Sequence, residues 1–256
     1  MKIASWNVNS LRVRLPQVLE WLKVSDVDVL AIQETKVEDS SFPIDDITDA
    51  GYYCDFIGQK TYNGVTTISK NPPKESVKLI NDKEQDQKRF LLTRYEKDLT
   101  VLNLYVVNGH EVGSEKYKYK LSWLKEIKKH VKQDLVKTKY YAIVGDFNIA
   151  PENKDVYDPD AWEEKILCSK KERLALKGIM DLGFSDSFRL FPQKEELYSW
   201  WDYRTGAFRR NRGLRIDLVL TNDALSKKCK SSYIDTNPRK NERPSDHAPV
   251  ISTFDI

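Results

Sequence analysis

Three stretches of the chain, residues 2–7, 27–34 and 140–146, are largely apolar, and each stops on an amide or a carboxylate: Asn7, Glu34 and Asp146. A strand with one wet face alternates polar and apolar side chains, so such runs read as strands buried on both faces. Buried strands need a layer of structure on either side, which restricts the chain to layered α/β architectures. The covering helices are visible. Residues 12–23 carry Leu15, Val18, Leu19 and Leu22 at helical spacing, with Pro16 tolerated in the first turn. Residues 115–135 are lysine-rich but set Leu121, Leu124, Ile127 and Val131 on one side, and 170–182 reads as a third helix. Further strands are expected at 52–57, 65–69, 90–95, 99–107, 198–203, 215–220, 232–234 and 250–254. The pair 90–95 and 99–107 is close enough for a hairpin, and hairpins mixed with helical crossovers argue against a purely parallel barrel or dinucleotide-binding sheet. Residues 2–9 and 140–149 echo each other, as buried strands that break into asparagine turns with a helix later, and form a candidate internal repeat.

No linker or low-complexity segment interrupts the 256 residues, so one domain, 1–256, is expected. The charges nearly cancel, 42 Lys and Arg against 39 Asp and Glu, so a polyanionic partner must be sought in where the cations cluster. Cys54, Cys168 and Cys229 form no CxxC pair, which argues against a zinc site or a disulfide framework and fits a reducing compartment. Asn7, Asn9, Arg12 and Arg14 interrupt the N-terminal apolar stretch, unlike a signal peptide, and no run approaches the length of a membrane span. A cytoplasmic protein that does not touch membranes is expected.

Chemistry concentrates where apolar strands stop, at Asn7, Glu34, Asp146, Asn148 and Asp246. Loops leaving strand ends carry ligands while the strands hold them still. Any one of these side chains could be a helix N-cap, but capping is a poor account of all of them together. Magnesium takes hard oxygen ligands and keeps several waters, so one or two carboxylates and a substrate phosphate suffice, with Glu34 the first choice of ligand. Asp146 and Asn148 flank Phe147 and can face one side, where an aspartate can orient or deprotonate water and an amide can donate to a phosphate oxygen. Zinc would call for more histidine or cysteine. Asp217 lies inside the apolar run 214–220, where an unpaired charge is costly. Its partner is either His247, in Ser245–Asp246–His247, or a set of backbone amides or an arginine. His130, on the lysine-rich helix, is expected in solvent.

Ser5–Trp6–Asn7, Gln33–Glu34–Thr35, Tyr105 with Asn108, Gly145–Asp146–Phe147–Asn148, Gly213–Leu214–Arg215–Ile216–Asp217 and Ser245–Asp246–His247 occur in that order along the whole chain. In this the chain resembles the exonuclease III-type abasic endonucleases of the endonuclease/exonuclease/phosphatase superfamily. The resemblance implies a DNase I-like four-layer α/β sandwich, two packed mixed β-sheets flanked by helices, with the site at one edge. It also implies Mg2+, with Mn2+ as a substitute, held by Glu34 with Asn7, Asp146, Asn148, Asp246 and His247 around it. Tyr105, Asp146, Asn148, Asp217 and His247 are the implied catalytic group, with Asp146 handling the attacking water and His247 stabilising phosphoryl charge. Asn9 stands where some members place an acidic metal ligand, which puts a second metal in doubt.

The resemblance further places Trp200, Leu214 and Ile216 around a baseless sugar, with Asn108, His110 and Arg204 as substrate contacts. Trp200, Trp201, Tyr203 and Phe208 interleave with Arg204, Arg209, Arg210, Arg212 and Arg215, a mixture suited to phosphates and nucleic-acid rings. The lysines of 115–135 read mainly as a solvated face, with Lys116 and Lys120 near enough to its start to reach DNA. The expected protein is a monomeric Mg2+-dependent nuclease on double-stranded DNA with 3′ ends, nicks or abasic sites. A phosphoesterase acting on inositol phosphates or phospholipids is the alternative on the same fold, disfavoured by the arginine–aromatic segment. An inert DNA-binding module is disfavoured by carboxylates set beside phosphate.

Overall fold

The structure is a computed structural model and describes residues 1–78 and 87–256. Its first sheet has the order β11–β12–β1–β2–β4–β3, from Cys229–Ile234 (β11), Val250–Phe254 (β12), Lys2–Asn7 (β1), Val29–Gln33 (β2), Val65–Ser69 (β4) and Tyr53–Ile57 (β3). The second has the order β5–β6–β7–β8–β10–β9, from Glu75–Val77 (β5), Phe90–Tyr95 (β6), Leu99–Tyr105 (β7), Tyr140–Asp146 (β8), Asp217–Asn222 (β10) and Phe184–Asp186 (β9). Each sheet is mixed, with one parallel pair at its centre: β1 with β2, and β7 with β8. This is the expected four-layer sandwich.

Alternation along the central strands explains their unbroken apolarity. Ala4, Trp6, Leu30 and Ile32 face outward onto Val18, Trp21 and Leu22 of helix α1 (Leu11–Ser25). Ile3, Val29 and Ala31 face inward and meet Val101, Ala142, Val144 and Val219 of the other sheet. Behind the second sheet, Leu102, Leu104 and Ile143 pack on Trp123, Leu124, Ile127 and Val131 of a 20-residue helix (Glu115–Asp134) and on Leu176 and Ile179 of another (Lys170–Met180). All four layers are therefore joined by side chains with little exposure. Among the described residues no helix is long and apolar enough to cross a membrane, and the three cysteines are free.

The strand order does not pair 2–9 with 140–149 as the echo expected. Each parallel pair is flanked by an antiparallel strand on either side, so by position in the sheet and chain order β1 corresponds to β7 and β2 to β8. Residues 140–149 are thus the counterpart of 29–34, and not of 2–9. Two short edge strands, β5 and β9, were not expected, and the stretch 198–203 is no strand: Trp200 makes only isolated bridges to Leu214 and His247. Leu121 is only partly buried, while Tyr117, Tyr119 and Trp123 fill the inner face of their helix.

Candidate active site

Register brings the polar strand ends to one edge of the sandwich. In the first sheet Asn7 pairs with Gln33, so Glu34 follows at the same level. In the second, both Tyr105 and Asp217 pair with Asp146. Sharp turns then stop the strands: Glu34 and Asn148 take left-handed backbone conformations, with φ of 54° and 48°. Gly145 prepares the second turn at φ 148°, where a side chain would strike the Leu104 carbonyl oxygen of β7 at 1.9 Å. Only glycine fits there.

Asn7 bridges the two sheets. Its Nδ2 donates to Glu34 Oε1 and to Asp146 Oδ2, each at 2.9 Å, while its Oδ1 accepts from the Asn9 amide. Asp146 Oδ1 accepts from the Asn148 amide at 2.8 Å. None of the five strand-end groups caps a helix: α1 begins after Ser10 without a side-chain cap, so capping is not their role. Asn148 Nδ2 donates to Val106 O and to Asp146 Oδ2, and its Oδ1 accepts from Asn108 Nδ2 at 3.1 Å. Both amide hydrogens of Asn148 are thereby engaged, whereas Asn108 keeps one for a ligand.

Asp217 has the histidine partner. His247 Nδ1 lies 2.8 Å from Asp217 Oδ2, and the same oxygen accepts from Ser199 Oγ at 2.7 Å. His247 Nε2 points to Asp146 Oδ2, 3.9 Å away. Burial alone would lower the imidazole pKa, but the carboxylates of Asp217, Asp146 and Asp246 raise it to about 10, so the ring is a cation at neutral pH. Asp146 is raised to about 7 by burial and by the carboxylates of Asp217 and Glu34, against the pull of His247 and Asn7. Burial would raise Glu34 as well, yet Lys36 and the Asn7 amide hold it below its ordinary value, and it stays charged. Burial, with the Glu34 carboxylate near, raises the Tyr105 phenol well above its ordinary value and keeps it neutral. The Arg89 guanidinium lies 4.3 Å from the Tyr105 ring centre.

The donor set fits a hard divalent cation. Asp146, Asp217 and His247 offer ligand atoms within 4.8 Å of one another, but Asp217 already holds the inner nitrogen of His247. Glu34, Asp146 and Asp246 add carboxylate oxygens, and the crowding that raises Asp146 is relieved by added positive charge. Asn9 is not free to act as a ligand: its Oδ1 accepts from Lys36 Nζ at 2.5 Å, and its Nδ2 donates to Asp246 Oδ1 at 2.9 Å. Trp200 Nε1 donates to the other Asp246 oxygen at 3.0 Å. Lys36, whose Nζ is 2.9 Å from Glu34 Oε2, and Ser199 are two members of the site that sequence reasoning missed. Lys36 sits two residues beyond Glu34, a position that could have flagged it; Ser199 carries no such signal.

The residues around this centre separate into three groups. Leu214 and Ile216 are 0% and 1% exposed, in a cluster with Val156, Leu167 and Cys168 on which Trp162, Ile166 and Trp200 pack. Arg204, Arg209, Arg210 and Arg212 are exposed on a turn whose underside, Trp201 and Phe208, rests on the Arg239 guanidinium. Arg215 does not belong with them: it is buried between Asp155 and Asp186, each at 2.7 Å. His110 is exposed, its amide bonded to Asn108 Oδ1, and lines a groove with Tyr62, Arg89, Lys116 and Lys118. Lys120 cannot reach DNA, being wholly buried against Glu172. His130 is half-buried, edge-on to Phe90, because the helix turns it toward the second sheet.

Residues 4–247 match the Endonuclease/Exonuclease/phosphatase family. Exodeoxyribonuclease III of Haemophilus influenzae is 34% identical over 99% of this chain and 100% of its own length. A 3′ phosphatase from Neisseria, solved with a product DNA hairpin, superposes with a TM-score of 0.97 at 40% identity, covering 100% of both chains. An AP endonuclease from Archaeoglobus fulgidus superposes at 0.95 with 37% identity and the same coverage.

Proposed function

The chain belongs to the Endonuclease/Exonuclease/phosphatase family and is a nuclease, a phosphodiester hydrolase; on that premise we propose that it is a magnesium-dependent repair enzyme working at DNA 3′ ends and 5′ of abasic sites. The observation that carries this reading is the chain Asp217–His247–Asp146 beside Glu34 at one strand edge. It joins a fixed cation to a carboxylate able to take a proton. Glu34 would hold the ion, with Asp146 and Asp246 near, and a bound ion would supply positive charge against the phosphate oxygens. Asp146 orients the attacking water and accepts its proton; as the water oxygen bonds phosphorus the P–O3′ bond breaks, and the departing oxygen takes a proton from solvent to leave a 3′-hydroxyl. His247 donates from Nε2 to a phosphoryl oxygen, its charge maintained by Asp217. The free amide hydrogen of Asn108 and the phenol of Tyr105 complete the phosphate's surroundings. Arg204 and His110 contact the DNA backbone on either side. Trp200, on its Leu214 and Ile216 support, borders the sugar. The enzyme acts as a monomer in the cytoplasm, and manganese replaces magnesium.

Extruding a nucleotide from a duplex costs a few kcal/mol, whereas a 3′ terminus is already frayed. The 3′-end activity is therefore the more robust. Labelled duplexes that are intact, 3′-phosphorylated or abasic, incubated with and without magnesium, test the reading. The 3′ phosphate or nucleotide is expected to leave at least as fast as the abasic strand is cut; efficient incision with no 3′-end activity overturns the order.

The two shifted groups also predict a bell-shaped pH profile. Asp146 must be ionised to accept a proton, so the rate rises with pH, and a divalent ion beside it places that limb below the value of about 7 to which burial and the neighbouring carboxylates raise the group without the ion. His247 must be protonated, so the rate falls as pH passes about 10. Asp217→Asn removes a charge that raises His247 and should draw the falling limb downward; an unmoved limb contradicts the assignment.

A further inference from the structure

Lys120 and Glu172 form an ion pair with 0% of either side chain exposed, and the catalytic scheme above does not use it. Burying two charges is costly, and a buried pair is weak evidence for stability. What the pair holds is specific. Lys120 Nζ donates to the backbone carbonyls of Asn148, at 2.7 Å, and Asn108, at 3.1 Å. These are the two asparagines whose side chains are joined beside Asp146. The loop lies directly on the lysine stem: a side chain at Gly109 would come within 3.2 Å of Lys120 Cδ and 2.8 Å of Ile166 Cδ1. At its other end Glu172 accepts from the amides of Leu167, at 3.2 Å, and Ser169, at 3.1 Å. Leu167 holds a left-handed backbone, φ 71°, unusual for a bulky residue, and its carbonyl in turn accepts from the Ala150 amide at 2.8 Å. Such strain persists only where surrounding contacts over-determine it.

We infer that Lys120 and Glu172 are positioning residues, which fix the Asn108 and Asn148 turns and the Leu167 turn relative to one another and so set the Asn108 amide that faces the phosphate. This rests on the proposed role of Asn108 at the phosphate. The charge pair is retained for geometry: one ammonium ties the backbone carbonyls of both turns, beside the side-chain bond that joins Asn108 to Asn148. Misplacing a catalytic group by about 1 Å can cost about 100-fold in rate.

Lys120→Met/Glu172→Gln tests this, since it leaves no buried charge, keeps side-chain volume and retains an acceptor for Ser169. The melting curve is checked first, then turnover of a 3′-phosphorylated duplex in magnesium and DNA affinity in chelator. The expected result is a fall in kcat of about 10- to 100-fold with DNA affinity changed less than about threefold. On an Asn108→Ala background the same double substitution should cost much less, because the amide it positions is gone. A purely structural role gives multiplicative losses instead, and these, or an unchanged kcat, overturn the inference. If the double variant melts below the assay temperature, Ser169→Ala, which removes a 2.7 Å hydrogen bond to Glu172, takes its place. A loss confined to kcat supports the inference and none overturns it. Inactive wild-type protein in the same assay overturns the proposed function itself, and is thereby distinguished from an active wild type matched by its variants.

Discussion

Replacing Glu34 by alanine is expected to lower kcat by about 1000-fold, roughly 4 kcal/mol of transition-state stabilisation. The magnesium concentration for half-maximal rate should also rise, by about 10- to 100-fold. The expectation follows from how Glu34 is held. It is the carboxylate at the end of β2, turned out of the strand by its left-handed backbone and charged because Lys36 and Asn7 oppose the effect of burial. Asn7 fixes Oε1 and Lys36 approaches Oε2, so the head group is oriented before any ion arrives. The neighbouring carboxylates are fixed where they stand and cannot move into its place: Asp246 accepts from Asn9 and Trp200, and Asp146 from Asn7 and Asn148. Among the described residues no side chain is therefore ready to replace it. A magnesium titration of the rate checks the kinetic part, and direct binding of Mn2+ checks affinity independently of turnover. Full activity of the unaltered enzyme in excess chelator removes the metal from the scheme altogether.

The strands were legible because each central one is buried on both faces, which leaves an unbroken apolar run and a sudden polar stop. The same logic failed at 198–203. There Tyr198, Trp200, Trp201 and Tyr203 give the aromatic content of a strand, yet Trp200 bridges Leu214 and His247 singly and the chain turns away. The edge strands β5 and β9 hold three residues each, too few to display a period. Lys120 was hidden differently. A lysine-rich helix looks like a solvated face, and the partner that neutralises this lysine lies 52 residues away. A signal did exist, since Lys120 falls between Tyr117 and Leu124 on the stripe that continues through Ile127 and Val131, at three- and four-residue spacing. A cation on an apolar stripe calls for a buried anion, the argument that led from Asp217 to His247. Arg215 answers to the same argument: inside the buried run beside Asp217 it pairs with Asp155 and Asp186, and does not face DNA.

Asp217 and His247 should behave as one unit. Each alanine variant is expected to lose about 100- to 1000-fold in kcat, and the double variant little more than either. The geometry gives the reason. The Asp217 carboxylate bonds the inner nitrogen of the ring at 2.8 Å, so without it the imidazole loses both its orientation and much of the field that keeps it protonated. Without the ring, the carboxylate is left buried with Ser199 as its side-chain partner. Ser199 Oγ also accepts from the amides of Ile216 and Asp217, which locks the carboxylate to the start of β10. Removing Asp217 therefore leaves a polar hole, and breaking a buried pair typically costs about 3–5 kcal/mol of stability. Thermal melts of all variants must precede the kinetics, and Asp217→Asn, which keeps volume and a hydrogen-bonding oxygen, provides the comparison in which folding is least disturbed. Fully multiplicative losses, near the product of the two singles, would mean that Asp217 acts on the reaction without His247. Near-identical losses with no further cost in the double would locate the whole effect of Asp217 in the charge and aim of one imidazole.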